Sequence, residues 1–130
     1  MKGDNKKVIV VAIPALPPKE ASPNWRGHWT VKAKAVRQYR RLVYLCAVSE
    51  RNRIGRWESL DGCNISAAFY VKNRRYVMDD DNARATLKPA IDALVDAGIV
   101  EKNDRKVKVT EVSFIPRSPK APSIVLEINV

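Results

Sequence analysis

The run Met78-Asp79-Asp80-Asp81-Asn82 gathers three carboxylates in a chain whose 24 Lys and Arg residues outnumber its 14 Asp and Glu, for a formal charge of +10. Acid concentrated in so basic a protein suits a bound cation that in turn meets a phosphate. Asp79 and Asp81 lie two residues apart, so on an extended segment their side chains share one side of the backbone. Two such carboxylates suit Mg²⁺ or Mn²⁺, hard cations that take oxygen ligands and keep positions open for water and phosphate oxygens. Asp80 is expected to face the opposite way. Asp104 joins this run one amphipathic segment further on, and the chemistry suggested is phosphodiester cleavage.

The charge is unevenly spread. Residues 1–76 carry 16 basic and 5 acidic side chains, whereas residues 77–130 carry 8 and 9. A basic surface beside an acidic centre fits a polyanionic partner such as nucleic acid, although a generally basic protein with no such partner reads the same way from charge alone. Cys46 and Cys63 show no CxxC or His/Cys spacing, which points to reduced thiols in a cytoplasmic setting and away from zinc. The apolar stretch Val8–Leu16 is interrupted by Pro14, is followed by no convincing cleavage site and is too short to span a bilayer. No membrane association is expected, and Met1–Lys6 reads as a flexible tail.

These residues must be held by a small α+β domain spanning 1–130. Lys7–Ile13 is a continuous β-branched run, the composition of a strand covered on both faces near a sheet centre. Pro14 to Trp29 is a proline-rich loop. Thr30 is positioned to cap a helix to about Glu50, with Ala35, Tyr39, Leu42, Val43 and Cys46 on one stripe and Lys34, Arg37 and Arg41 on another. The second stripe suits phosphates or simply solvent. Arg51–Gly62 reads as a connection, and Ile65, Ala67, Phe69 and Val71 alternate as a strand with one buried face. Pro89 sets the start of a second helix near Thr86, with residues 82–85 as an extra turn, and Gly98 ends it. Val107–Ile115 and Ser123–Val130 are the last strands, expected as a hairpin, with a bulge near Thr110 where the apolar phase shifts. The order is β-α-β-α-β-β: two helices packed on a four-stranded sheet, a two-layer mixed α/β arrangement.

The pattern Asp79-x-Asp81-Asn82, then Leu87-Lys88-Pro89-x-Ile91-Asp92-x-Leu94-Val95-Asp96-Ala97-Gly98, then Asn103-Asp104-x-x-Val107 resembles the RusA family of Holliday junction resolvases, especially the phage and prophage type. Ser22-Pro23-Asn24, His28-Trp29 and the basic helix resemble that family's N-terminal half. The resemblance implies a RusA-like fold and a homodimeric, Mg²⁺- or Mn²⁺-dependent endonuclease that resolves four-way DNA junctions by paired symmetric cuts in recombination and repair. It implies Asp79, Asp81 and Asp104 as metal ligands and Lys88 as the catalytic lysine. Asp92 and Asn82 would support the site from behind the ligands, though Asp92, four residues after Lys88, equally suits a simple helix pair with it. Lys34, Arg37, Arg41, Arg74, Arg75, Asn24 and His28 would contact DNA. Here Arg74 and Arg75 are separated from the first aspartate by three residues, whereas many relatives have arginines directly before it.

Two other readings share these residues. One is a non-catalytic DNA-binding or architectural protein, which would bind without metal-dependent cleavage. The other is a nuclease acting on flaps, single strands or RNA. The loop tryptophans suit either stacking on unpaired bases or anchoring the loop to the core.

Overall fold

Strand β2 (Cys63–Val71) shows how the chain builds its core, because every second residue from Cys63 to Val71 is buried and the intervening ones are not. The computed structural model describes residues 8–102 and 105–130. It contains β1 (Val8–Ile13), α1 (Trp29–Ile54), β2, α2 (Asp80–Thr86), α3 (Lys88–Asp96), β3 (Val107–Pro116) and β4 (Ser123–Asn129), with short 3₁₀ turns at Lys19–Ala21 and Arg74–Tyr76. The four strands form one mixed sheet in the order β1-β4-β2-β3. Strands β2 and β3 run parallel, and β4 is antiparallel to both of its neighbours. This is the expected mixed α/β class with helices on a four-stranded sheet.

Ile9, Val11 and Ile13 of β1, Ile65, Ala67 and Phe69 of β2, and Ile124, Leu126 and Ile128 of β4 form the buried side of the sheet. Tyr39, Val43 and Ala47 of α1 and Ala90, Ala93 and Leu94 of α3 join the same core. Phe69 stacks on Phe114 of β3 with ring centroids 4.6 Å apart.

Four expectations are corrected. Strand β1 is an edge strand with one buried face, since Val8 and Val10 are exposed; Lys7 lies outside the described residues. A run of β-branched residues does not by itself distinguish a two-sided strand from an edge strand with an open outer face. Strands β3 and β4 form no hairpin, because β4 inserts between β1 and β2 while β3 pairs with β2. The partition follows side-chain chemistry: β4 places Ile124, Leu126 and Ile128 in the core, whereas β3 exposes Lys108, Glu111 and Ser113, as an edge tolerates. Helix α1 is capped at His28 and continues to Ile54, so the first four residues of the expected connection are helical. The extra turn expected at 82–85 is present but longer, a helix of its own from Asp80 to Thr86, and the helix after it starts at Lys88 instead of near Thr86.

The β3 ladder skips Thr110, the position at which a bulge was expected. Gly98 ends the α3 segment with φ +74, a conformation other residues reach with strain. The Arg51 guanidinium bonds the Ala97 carbonyl at this C-terminus, 3.1 Å away.

Tyr39 ties the proline-rich loop to α1. Its hydroxyl donates to the Ala15 carbonyl at 3.0 Å, and burial, followed by the nearby Cys46, pushes its pKa well up. Tyr39→Phe leaves that half-buried carbonyl without its donor and is expected to cost about 1–2 kcal/mol, read as a lower urea midpoint with an unchanged slope.

Candidate functional site

Helix α2 begins where the acidic run begins. Asp79 is its N-cap, with extended backbone (φ −67, ψ 160) and a carbonyl that accepts from Ala83 N–H at 3.0 Å. Its carboxylate makes no capping bond. Asp80 and Asp81 occupy the first turn, where negative charge opposes the positive end of the helix dipole. The expectation of one extended segment carrying Asp79 and Asp81 is therefore corrected: the backbone turns helical between them. A short polar side chain that favours helix starts outweighs the extended reading of an Asp-rich run.

The aspartates divide by partner. Asp80 binds Arg84 at 2.5 Å, and Arg84 also donates to the Val109 carbonyl beside the β3 bulge, so α2 is fastened to the sheet edge. Asp92 lies 3.5 Å from Lys88 Nζ and 4.0 Å from an Arg40 nitrogen. Asp96 forms a two-pronged pair with Arg40, at 2.7 and 2.9 Å. Asp79 and Asp81 are exposed and have no side-chain hydrogen bond or ion pair among the described residues. Asp104 and its neighbour Asn103 lie outside the described residues. Among the described residues no group of three or more His, Cys, Asp or Glu side chains could hold a metal ion. Asp79 and Asp81, exposed and without a partner among the described residues, are oxygen donors of the type Mg²⁺ takes, an ion that commonly uses one or two carboxylates and fills its other positions with water and phosphate oxygens.

Lys88 opens α3, followed by Pro89 at a position where a missing N–H costs nothing. Lys88, Asp92 and Asp96 recur every four residues and so form one stripe, which faces Arg40 of α1. Together with Ile91, Val95, Lys102 and Val107 these residues line a groove of ≈ 450 Å³. The groove reaches the start of β3 at Val107. Trp57 is fastened behind α3, its indole N–H donating to the Ile99 carbonyl at 3.0 Å, and Leu60 exchanges backbone bonds with Ile99 and Glu101.

No family model matches the chain. It is similar to an uncharacterized protein of Xylella fastidiosa (strain Temecula1), 37% identical over 86 residues that cover 62% of this chain and 52% of that protein. The chain thus spans about half the length of the curated relative it matches.

The remaining expected residues fall in three places. Asn24 meets Asn82, its amide nitrogen 3.4 Å from the Asn82 side-chain oxygen, so the proline-rich loop touches the acidic turn. Lys34, Arg37 and Arg41 are exposed on α1. At 3.6 residues per turn they fall within about 60° of one another and adjoin Arg40. Arg74 and Arg75 sit in a 3₁₀ turn capped by Asn73, which moves them off the β2 strand path that would have aimed them along a flanking backbone. His28 caps α1: Thr30 N–H donates to Nδ1 at 3.1 Å, and the Thr30 hydroxyl lies 2.7 Å from the same atom. That is a structural task which its place among candidate DNA contacts did not anticipate.

Arg40, Asp96 and Lys102 were not singled out from the sequence. The four-residue spacing of Lys88, Asp92 and Asp96 was visible there, but the partner in α1 lies 56 residues from Asp96. The Arg40 hydrogen bond holds the Asp96 carboxyl below the usual carboxylate range, and Asp96 in turn raises Arg40. Because the folded value is depressed, the pair stabilises fully above the ordinary Asp value of about 3.9 and is lost as pH falls through the lower folded value. Both side chains are substantially exposed, so Asp96→Asn is expected to cost only about 0.2–1 kcal/mol at pH 7 and less at about pH 3, below the ordinary Asp value. Urea titrations of both proteins at the two pH values check this.

Proposed function

We propose that this chain is a divalent-metal-dependent, RusA-like endonuclease that resolves four-way and related branched DNA. The observation that carries the reading is the division among the aspartates. Asp80, Asp92 and Asp96 each have a cationic partner, while Asp79 and Asp81, two of the three that the family pattern marks as ligands, have none among the described residues. Unpaired carboxylates on a DNA-facing surface repel phosphate unless a cation lies between.

Asp79 and Asp81, with Asp104, would hold Mg²⁺ or Mn²⁺. Bound there, the ion would supply Lewis acidity toward a phosphoryl oxygen and a more acidic water. Lys88, on an exposed stem, would bring positive charge to the scissile phosphate or the leaving oxygen. Asp92 restrains that stem. Arg37, Arg41 and Lys34 would hold the flanking phosphates, and the Asn24–Asn82 contact would fix the loop against the acidic turn. A homodimer would bring one site to each of two opposed strands, making paired cuts natural. A cytoplasmic phage or prophage setting follows from the same resemblance. Among the described residues no helix is long and apolar enough to cross a membrane.

The test incubates the purified chain with an immobile four-way junction and a matched linear duplex, each with Mg²⁺ or EDTA. Symmetric nicking of the junction alone, abolished by EDTA, is expected. Tight junction binding without cleavage under Mg²⁺ or Mn²⁺ would replace this reading with the architectural one. Cleavage of flaps or single strands in preference to the junction would keep the chemistry and change the substrate.

A further inference from the structure

Among the described residues Trp29 is the most exposed large hydrophobic residue, at 73% of its full accessible surface. The other two tryptophans are committed elsewhere. Trp57 is half-buried and bonded to the Ile99 carbonyl. The half-buried Trp25 ring lies over Gly27, where even a Cβ would come within 2.1 Å of it. Gly27 is therefore required by the packed ring, and the turn leading into α1 is closed by Trp25.

Trp29 is also held from behind. Its ring stacks on His28, with centroids 5.9 Å apart and planes 26° from parallel. The His28 ring is itself fixed by Thr30, through both the backbone N–H and the hydroxyl. Accepting the N–H bond requires Nδ1 to carry no proton, so that hydroxyl is the donor in the second contact. The result is an indole presented to solvent on a fixed imidazole, at the rigid start of a 26-residue helix. An aromatic ring pre-set in this way loses little freedom when a flat partner stacks on it.

The surroundings select that partner. Residues 21–49 contain six basic side chains, Arg26, Lys32, Lys34, Arg37, Arg40 and Arg41, and no acidic one. An apolar partner protein gains nothing from such a field, whereas a polyanion bearing flat rings matches both features. The same loop reaches the acidic turn through Asn24 and Asn82.

We infer that Trp29, backed by His28, is a stacking platform for one unpaired nucleobase of the DNA substrate. A fully paired duplex offers no free base face except at its ends, so the platform discriminates open or branched DNA from linear duplex. The inference rests on the proposed function for its ligand class, but it concerns binding and needs no cleavage.

The test measures binding in EDTA at one fixed salt concentration, because phosphate contacts make affinity salt-dependent. The ligands are a short single-stranded oligonucleotide, the same oligonucleotide with consecutive abasic sites, and a fully paired duplex closed at both ends by non-nucleotide linkers. Wild type is compared with Trp29→Ala and Trp29→Phe, whose folding is checked by thermal melting. Trp29→Ala is expected to bind the single strand about tenfold more weakly, with duplex affinity unchanged. Trp29→Phe retains most of the affinity but loses most of the tryptophan quenching that the single strand produces. The abasic strand binds wild type as weakly as the intact strand binds Trp29→Ala.

Equal loss of single-strand and duplex binding in both variants would overturn the platform. So would unchanged single-strand binding by Trp29→Ala, the absence of any nucleic-acid binding by wild type, or a shift of Trp29→Ala from dimer to monomer in sedimentation, which would mean that the ring is buried between copies. Base-dependent binding through Trp29 with no Mg²⁺-dependent cleavage would support the platform and remove only the nuclease reading.

Discussion

Asp81→Asn is expected to lower Mg²⁺-dependent junction cleavage at least about 100-fold while leaving junction binding in EDTA unchanged or slightly tighter. Removing a group that merely supports a metal ligand commonly costs about 10- to 100-fold, so removal of a ligand carboxylate should cost more. Asparagine keeps the shape and one oxygen but removes the charge, and with it the repulsion of DNA phosphates when no metal is present. Asp80→Asn is the matched control from the same helical turn. Its loss is the exposed pair with Arg84, worth about 0.3–0.5 kcal/mol, and cleavage should stay near wild type. Equal damage from both substitutions would mean that the acidic turn acts only through its fold. Full activity in Asp81→Asn would exclude it as a ligand.

The contrast between Asp80 and Asp81 shows what could and could not be read from residue order. The separation of Asp80 from its neighbours was expected from alternation along a strand, and that ground is incorrect because the turn is helical. The usable signal was different: Asp80 and Arg84 lie four apart, the spacing of a helix pair. Where a single local rule governs, reading succeeded. One buried face made β2 visible, a change of apolar phase marked Thr110, and the need for positive φ marked Gly98. Strand neighbours are set by which apolar faces complete the core, and no local pattern announced that β4 would lie between β1 and β2. Arg40 illustrates the same limit for the site. On its own helix it is one basic residue among several, and only the packing of α1 on α3 brings it to Asp92 and Asp96. The resemblance proposed residue types for an acidic centre, and it carried no information about which carboxylates would lack a partner among the described residues.

Lys88→Met should lower the rate of junction cleavage by about 100-fold with little change in junction affinity, as expected when a charge acts mainly on the transition state. The Lys88 side chain is 76% exposed, and among the described residues its tether is Asp92, at 3.5 Å. Such a pair contributes little to stability, so thermal melting should move by no more than a degree or two for a loss of a few tenths of a kcal/mol. Methionine preserves the length and apolar stem, which separates loss of charge from loss of packing. Asp92→Asn addresses the tether separately. It releases Lys88 and removes the second carboxylate near Arg40, while Asp96 keeps its bidentate bond, so a smaller fall of about tenfold is expected. If Lys88 serves the transition state and Asp92 only restrains it, the double variant should be no slower than Lys88→Met alone, because a tether has no effect on a side chain that no longer carries charge. Additive losses would instead give Asp92 a task of its own at the metal, and unchanged cleavage in Lys88→Met would leave the lysine as an ordinary solvated helix residue.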